Sequence, residues 1–349
     1  ARGIGPAPAQ AAGCGRRRAP SGAGTRRRPS GFSGEPMRQL DVVAVGELNP
    51  DLILGGMSGP PRLGREILAE RCTFTLGSST ALCAASLAAL GLSVGIVGKV
   101  GRDIFGEFVL RCLDERGIDA SRVIRDAAVR TGVTVSLAYP EDRAMLTFAG
   151  AMTHLTAAEV DREYLASGRH LHTSSLFLQP GLQPGCADVL RQARARGVTV
   201  SLDPGWDPAE TWDAGIEELY GLLDVLFVNR LEAAALGKDA DWRRAAERLA
   251  SAVSLVVIKG GPDGACAIQA GRREERPGFR VKALDPTGAG DAFNAGFLFG
   301  YLSGWPLATC LTWGNACGAM TAARIGGSGA FANRADVERF IGSKGSSAG

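Results

Sequence analysis

The sequence predicts an α/β fold, a doubly wound and mostly parallel sheet covered by helices on both faces, with a second, small β-sheet standing off it. Three observations carry this. From Leu40 onward, short β-branched runs alternate with amphipathic helical patterns. The runs are apolar on both faces, as strands are in a parallel sheet covered on both sides. Two strand-rich segments without intervening helices interrupt the alternation.

In chain order the main-sheet runs are Asp41–Val45, Ser93–Val97, Val198–Leu202, Val225–Val228 and Leu255–Ile258. Ile104, Phe105, Phe108, Val109, Cys112 and Leu113 form one face of a helix that stops at Gly117. Strand and helix in turn imply a doubly wound sheet. The first interruption, Asp51–Leu76, is punctuated by Gly59-Pro60-Pro61; in the second, Val133–Phe148, alternating runs flank Pro140–Asp142 as a hairpin. A small sheet of this kind could close over a ligand at the carboxyl edge of the main sheet, where open α/β folds bind ligands. Two uncharged stretches, Cys72–Gly98 and Ala292–Ala323, are long enough to span a bilayer. Both are broken by Gly, Ser, Thr or Pro and read as a buried helix followed by a second short element.

Of 349 residues, 39 are Lys or Arg and 36 are Asp or Glu, a net charge of +3. Ala1–Pro36 alone carries seven arginines and one acid, so the remainder has a net charge of −3. A slightly acidic body argues against a general nucleic-acid binder, which needs a concentrated basic surface. The Gly-, Pro-, Ala- and Arg-rich segment 1–36 cannot bury a core and reads as a disordered tail upstream of a native start at Met37, with residues 37–349 as the folded domain. Eight cysteines are scattered without a Cys-x-x-Cys and mostly lie in apolar runs, which fits buried thiols in a reducing cytoplasm. Only three histidines occur, and His170 and His172 alternate in a strand-like stretch as structural residues do.

The segment most informative about chemistry is Leu284-Asp-Pro-Thr-Gly-Ala-Gly-Asp-Ala-Phe-Asn-Ala-Gly296. Gly288, Ala289 and Gly290 lack bulk and lead into a helical run starting near Asp291, so their N–H groups and the helix dipole can converge on an anion. Asp291 on its own reads as readily as a helix cap. A carboxylate beside an anion hole is also what phosphoryl transfer to an alcohol needs: one part stabilises the moving phosphoryl group, the other takes the hydroxyl proton. Neither the P-loop pattern nor Gly-x-Gly-x-x-Gly after a strand is present, which disfavours P-loop enzymes and ordinary NAD-dependent dehydrogenases.

With these motifs in order over Leu40–Ile341, the chain resembles the ribokinase-like (pfkB) family of carbohydrate kinases. Asp285-Pro-Thr-Gly-Ala-Gly-Asp291 is similar to the family's C-terminal signature, Asn229-Arg-Leu-Glu232 to its Asn-x-x-Glu motif, and Gly98–Gly106 and Thr131-Gly132 fall where the family pattern expects them. The resemblance implies a three-layer αβα fold whose lid is built from segments at about 51–76 and 131–150. It implies Asp291 as catalytic base with Gly288, Ala289 and Gly290 as anion hole. Asn49, Asp51, Gly77, Ser78 and Ser79 would bind the sugar. Asn229, Lys259, Gly261, Gly264 and Asn315 would bind ATP, and Glu232 would hold Mg²⁺ through water. Asp285, Thr287 and Gly326, with Thr321 and Arg324, resemble the family's monovalent-cation loop, for K⁺. The implied protein is an ATP-dependent kinase acting on a primary hydroxyl of a sugar or sugar-like polyol, a homodimer through the lid, with neither nucleic acid nor membrane as partner. A nucleoside kinase of the same fold and a catalytically silent ligand-binding relative are the alternatives. The chain departs from the family where Gly-Gly-x-x-x-Asn is usual: Ser78 replaces the second glycine and Leu82 the asparagine, which bears on the sugar pocket rather than on phosphoryl transfer.

Overall fold

A computed structural model describes residues 39–139, 143–324 and 332–345. The tail 1–36, the turn at Pro140–Asp142 and Gly326 lie outside the described residues. The strands are β1 (Leu40–Val45), β2 (Pro50–Gly55), β3 (Arg71–Leu76), β4 (Val94–Gly101), β5 (Asp119–Asp126), β6 (Val133–Ala138), β7 (Arg143–Phe148), β8 (Gly168–Ser174), β9 (Thr199–Asp203), β10 (Val225–Asn229), β11 (Leu255–Lys259), β12 (Ala265–Gln269) and β13 (Arg272–Arg276). The helices are α1 (Ser79–Ala89), α2 (Ile104–Asp114), α3 (Arg162–Ala166), α4 (Cys186–Ala195), α5 (Arg230–Leu236), α6 (Trp242–Ala252), α7 (Ala289–Leu302), α8 (Leu307–Ala322) and α9 (Arg334–Gly345).

Among the described residues, nine strands form the main sheet in the order β13-β12-β11-β10-β9-β8-β1-β4-β5. All pairings from β11 to β5 are parallel, and β12 and β13 add an antiparallel edge. Alternate residues of each central strand feed opposite layers, so Val43, Val45, Val200 and Leu202 pack with α4, α5 and α6, while Val42, Ala44, Val225 and Phe227 pack with α1, α2, α7 and α8. The two-sided apolar pattern is thus a three-layer αβα core. The Ala270-Gly271 turn between β12 and β13 has φ values of 49° and 73°, as a two-residue hairpin requires. The edge strand Arg-Arg-Glu-Glu-Arg is charged throughout, which discourages strand addition.

The four-stranded second sheet runs β3-β2-β6-β7, with β2 and β6 parallel and the other pairs antiparallel. Phe74 on one face packs on Phe108 and Phe105 of α2, with ring centroids 4.4 and 5.8 Å apart. The other face carries Asp51, paired in register with Thr75 and Thr134. The Gly98–Gly106 motif ties this sheet to the main one: Asp103 caps α2 by accepting from Gly106 N–H at 2.9 Å, and its second oxygen accepts from Thr131 N–H at 2.8 Å.

Three sequence readings change in detail. Ile104 is 77% exposed, because α2 buries only Gly106, Val109, Cys112 and Leu113. Cys72 is exposed at the start of β3, whereas the other described cysteines are buried. The stretches Cys72–Gly98 and Ala292–Ala323 divide into β3, α1 and β4 and into α7 and α8, and among the described residues no helix is long and apolar enough to cross a membrane.

His170 and His172 are structural and form an unbroken buried chain between β8 and β9: Thr199 Oγ1, His170, Ser201 Oγ, His172 and Ser174 Oγ at successive distances of 2.8, 2.7, 2.7 and 2.9 Å. Burial pushes their pKa values down to about 3 and about 4. Both stay neutral in the fold while the unfolded chain takes protons below its ordinary pKa near ~6.5, so stability is lost as pH falls from there toward the folded values. His170→Gln should therefore be less stable than the parent at pH ~7.5, yet lose stability more slowly on acidification, the two curves converging by up to about 1.4 kcal/mol per pH unit. Parallel denaturation curves between pH ~6.5 and ~4.5 would show that the folded protein admits the proton.

Candidate active site

The carboxyl ends of β1, β8, β9, β10 and β11 meet the first turns of α1, α5 and α7. At α7, Gly288 has a φ of 76°, a left-handed conformation suited to glycine, and the helix begins at Ala289. Asp291 is therefore the third residue of the helix rather than its first, and it is buried. Ala289 N–H donates to Pro286 O at 3.1 Å, which leaves the donors further along the first turn as the better candidates for an anion. Lys259 Nζ lies beside this turn, 3.6 Å from where a side chain on Gly290 would begin.

Burial pushes Asp291 up to about 8, the carboxylates of Asp203 and Glu47 add to this, and Lys259 and the nearby Ser79 side chain oppose it. Asp203, at the end of β9, forms a buried ion pair with Lys259 and accepts from Asn294 Nδ2 at 2.6 Å. Although burial opposes its charge, Lys259 holds Asp203 below the usual carboxylate range. Burial likewise opposes the Lys259 ammonium, but Asp203 and Glu232 outweigh it and keep its pKa above the ordinary value. At β10, Asn229 and Glu232 form a reciprocal capping box: Asn229 Oδ1 accepts from Glu232 N–H at 2.9 Å and Asn229 N–H donates to Glu232 Oε2 at 2.7 Å. Glu232 is not a solvated helix acid. It is 5% exposed, and burial with the nearby Asp203 charge raises it to about 7.

The opposite wall is the start of α1. Gly77 admits no side chain, since a Cβ there would lie 2.0 Å from Asp51 Oδ1. Asn49 Nδ2 donates to Asp51 Oδ1 at 3.2 Å, and burial followed by the Asp285 charge raises Asp51 to about 7. Ser78 has a φ of 71°, a backbone conformation that glycine adopts without cost. Its hydroxyl both accepts from Ala81 N–H at 3.1 Å, capping α1, and donates to Glu47 O at 2.5 Å. Leu82 is buried one turn into the helix.

A cavity of about 490 Å³ adjoins the start of α7. Lys259, Gly261, Gly290 and Asn315 line it with the apolar Phe279, Val281 and Phe293. Gly261 and Gly264 both have positive φ, at 59° and 99°, and Gly260 N–H donates to Gly264 O at 2.7 Å, closing the loop at one end of the cavity. Asn315 Nδ2 donates to Arg276 O and Pro277 O at 3.2 and 3.1 Å, fixing the segment behind the cavity. Asp285 Oδ1 accepts from Thr287 N–H at 2.9 Å, and Thr287 Oγ1 is buried without a hydrogen bond among the described residues. Gly326, the third residue expected there, is outside them.

The structure thus brings together nearly every residue singled out from the sequence and adds Asp203, Asn294 and Glu47. Asp203 carried a signal: an acid ending an apolar strand, immediately before Pro204-Gly205. Glu47, two residues past β1, is the same kind of residue.

A family model described as pfkB family carbohydrate kinase matches residues 39–333. The chain is 35% identical over 259 residues to the ATP-dependent ribose-1-phosphate kinase of Halopiger xanaduensis, covering 72% of this chain and 81% of that one. It is 32% identical over 291 residues to the 2-dehydro-3-deoxygluconokinase of Bacillus subtilis, covering 78% and 89%. The ribokinase of Thermotoga maritima superposes with a TM-score of 0.75 at 25% identity over 87% of this chain and 99% of that one, so the three-layer architecture with its small extra sheet is the ribokinase-like fold. The motif order, the carboxyl-edge site and a family match spanning both sheets lead to one statement: the chain belongs to the pfkB family of carbohydrate kinases.

Proposed function

We propose that this protein is an ATP-dependent phosphotransferase acting on a primary hydroxyl of a sugar or sugar-like polyol, with Asp291 as general base. The observation that carries the reading is Asp291 itself, a buried carboxyl raised to about 8 in the first turn of a helix whose preceding Gly288 leaves that turn open. A base poised near neutrality accepts a hydroxyl proton efficiently. The N–H groups of Gly290 and its neighbours, with the Lys259 ammonium beside them, supply positive potential where charge accumulates on the phosphoryl group. Asp51, held by Asn49, and the start of α1 at Gly77, Ser78 and Ser79 orient the acceptor hydroxyls. The apolar cavity bounded by Asn315 suits the base of a nucleotide, with its phosphates toward Lys259, Gly261 and Gly264.

The residues fit a hydrated divalent cation. Among the described residues no group of three or more metal-ligating side chains forms a cage, and Glu232, a buried acid raised to about 7, supplies a single carboxylate near Asn229. This suits Mg²⁺, which keeps waters and substrate phosphates as ligands. When bound, Mg²⁺ neutralises charge on the ATP phosphates. Asp285 and Thr287 are candidates for a K⁺ site, consistent with the buried Thr287 hydroxyl.

The small sheet would act as the lid, its Asp51 face toward the site. Its other face exposes Leu146 and Phe148 at 60% and 56%, a surface that a second copy of the chain would cover. Because the relatives named above are a ribose-1-phosphate kinase and a 2-dehydro-3-deoxygluconokinase, sugar phosphates and keto-deoxy sugar acids are the first acceptors to try. The test is ADP release over pentoses, hexoses, sugar phosphates, keto-deoxy acids and nucleosides. ATP-dependent turnover of a sugar or sugar acid supports the reading, turnover of nucleosides alone moves the assignment to a nucleoside kinase, and ligand binding without ADP release overturns it.

Leu82 gives the pocket its own signature. A leucine cannot hydrogen-bond a hydroxyl that an asparagine there would reach, so ribose should be a poor substrate. Leu82→Asn should shift selectivity toward more polar sugars, by up to about 10⁴-fold in the kcat/KM ratio where the amide finds its partner. Efficient ribose turnover by the parent, unchanged in the variant, would count against this.

A further inference from the structure

Glu47 is assigned no step in the chemistry described above beyond its charge near Asp291, yet its side chain and main chain together bond to the start of α1. It is 3% exposed and lies between β1 and the start of α1. Its Oε1 accepts from Ser79 N–H at 2.8 Å and its Oε2 from Thr80 Oγ1 at 2.6 Å. Its own main-chain carbonyl accepts from Ser78 Oγ at 2.5 Å. The Ser175 side chain, just past β8, lies close enough to the same carboxylate to favour its charged form. One residue therefore holds the cap Ser78 and the first two residues of α1. The clamp is tight, since a side chain on Gly46 would begin 2.1 Å from Thr80 Oγ1. Ser79 N–H is one of the first-turn donors that a helix leaves unsatisfied, and a carboxylate is the favoured partner at that end. The Ser79 side chain in turn lies close enough to the Asp291 carboxylate to favour its charged form.

We propose that Glu47 is a positioning residue for the general base, locking the start of α1 so that the Ser79 hydroxyl holds Asp291 toward the acceptor. The inference rests on the reading of Asp291 as the base. It explains why a buried acid is kept beside another acid: Glu47 spans main chain and side chains of Ser78–Thr80 at once, and its charge keeps Asp291 basic. The charged groups facing Asp291 are Asp203 from β9, Lys259 from β11 and Glu47 itself, with the Cys83 thiol of α1 nearby. Asp51 also lies within electrostatic reach of Glu47.

Glu47→Gln and Ser79→Ala separate positioning from mere support, because they move the acidic limb of the kcat/KM profile in opposite directions. Removing the Glu47 charge makes the Asp291 proton easier to lose and moves the limb to lower pH. Removing the Ser79 hydroxyl deprives the carboxylate of a donor and moves it to higher pH. Loss of alignment should also cost Glu47→Gln on the order of 10²-fold in kcat on the acceptor found by the screen, with KM for ATP within about twofold of the parent. An unmoved acidic limb in both variants overturns the proposal even if melting temperature falls, since that is what a purely structural clamp would do. Should Glu47→Gln not fold, Ser79→Ala decides by its limb alone. Failure here is distinct from failure of the base assignment, which Asp291→Asn reports separately.

Discussion

Asp291→Asn should lose about 10²- to 10⁴-fold in kcat while becoming more stable than the parent at alkaline pH. Asparagine matches the shape of aspartate and serves the first turn of a helix almost as well, so a helix-end role would leave turnover near normal. The base role requires a group that takes a proton, and the amide cannot. Burial holds the Asp291 carboxyl at about 8, far above an ordinary aspartate, so ionising it in the fold is unfavourable. A raised acid contributes its full stability below the unfolded pKa and loses it as pH rises through the folded one. The amide removes that penalty, so the melting temperature should rise by roughly 2–6 °C at pH ~8.5 and much less at pH ~5.5. The acidic limb of the parent kcat/KM profile, expected near the free-enzyme value of Asp291, should vanish in whatever activity remains. Near-parental turnover would remove the base assignment and the mechanism built on it.

Lys259→Met should be the most destabilising single change in the site, by about 3–5 kcal/mol. Lys259 is the cation paired with Asp203, and Glu232 and Asp291 lie close enough to raise its pKa further. Methionine fills the space but leaves Asp203 buried without its counter-charge. The folded-state pKa of Asp203 then moves from below the ordinary value to above it, so stability is lost as pH rises rather than as it falls. The deficit relative to the parent should therefore be larger at pH ~8.5 than at pH ~6. Chemical denaturation at both pH values checks this. A deficit independent of pH would mean that the lost interaction is packing rather than charge.

The parts of this site legible in the sequence were those carried by local pattern. Gly288-Ala-Gly-Asp291 announces a helix start without bulk, and Asn229-x-x-Glu232 announces a capping box. Even there, location and environment separated: Asp291 is the third residue of α7, within its first turn, rather than the first, and Glu232 is buried although capping-box acids are ordinarily solvated. Asp203 and Glu47 were not singled out, because an acid ending a strand is usually a solvated terminator. Only the convergence of β1, β9 and β11 makes theirs a shared buried environment. Likewise Phe105, Phe108 and Ile104 read alike on a helical face, but the face of α2 that Phe74 covers leaves Ile104 in solvent.

By itself, the sequence determined the α/β class, the parallel middle of the main sheet, the small second sheet and the order of the chemical motifs, because hydrophobic period and turn chemistry act over a few residues. It also set the departures at Ser78 and Leu82. Tertiary structure alone decided how charge is shared among Glu47, Asp203, Glu232, Lys259 and Asp291, which come from five separated segments. It decided the antiparallel edge of β12 and β13 as well, since strand partners are chosen across the sheet and not along the chain. The physical reason is the same in both cases. Desolvation and Coulomb interaction depend on distance through space, and a one-dimensional pattern records only distance along the chain.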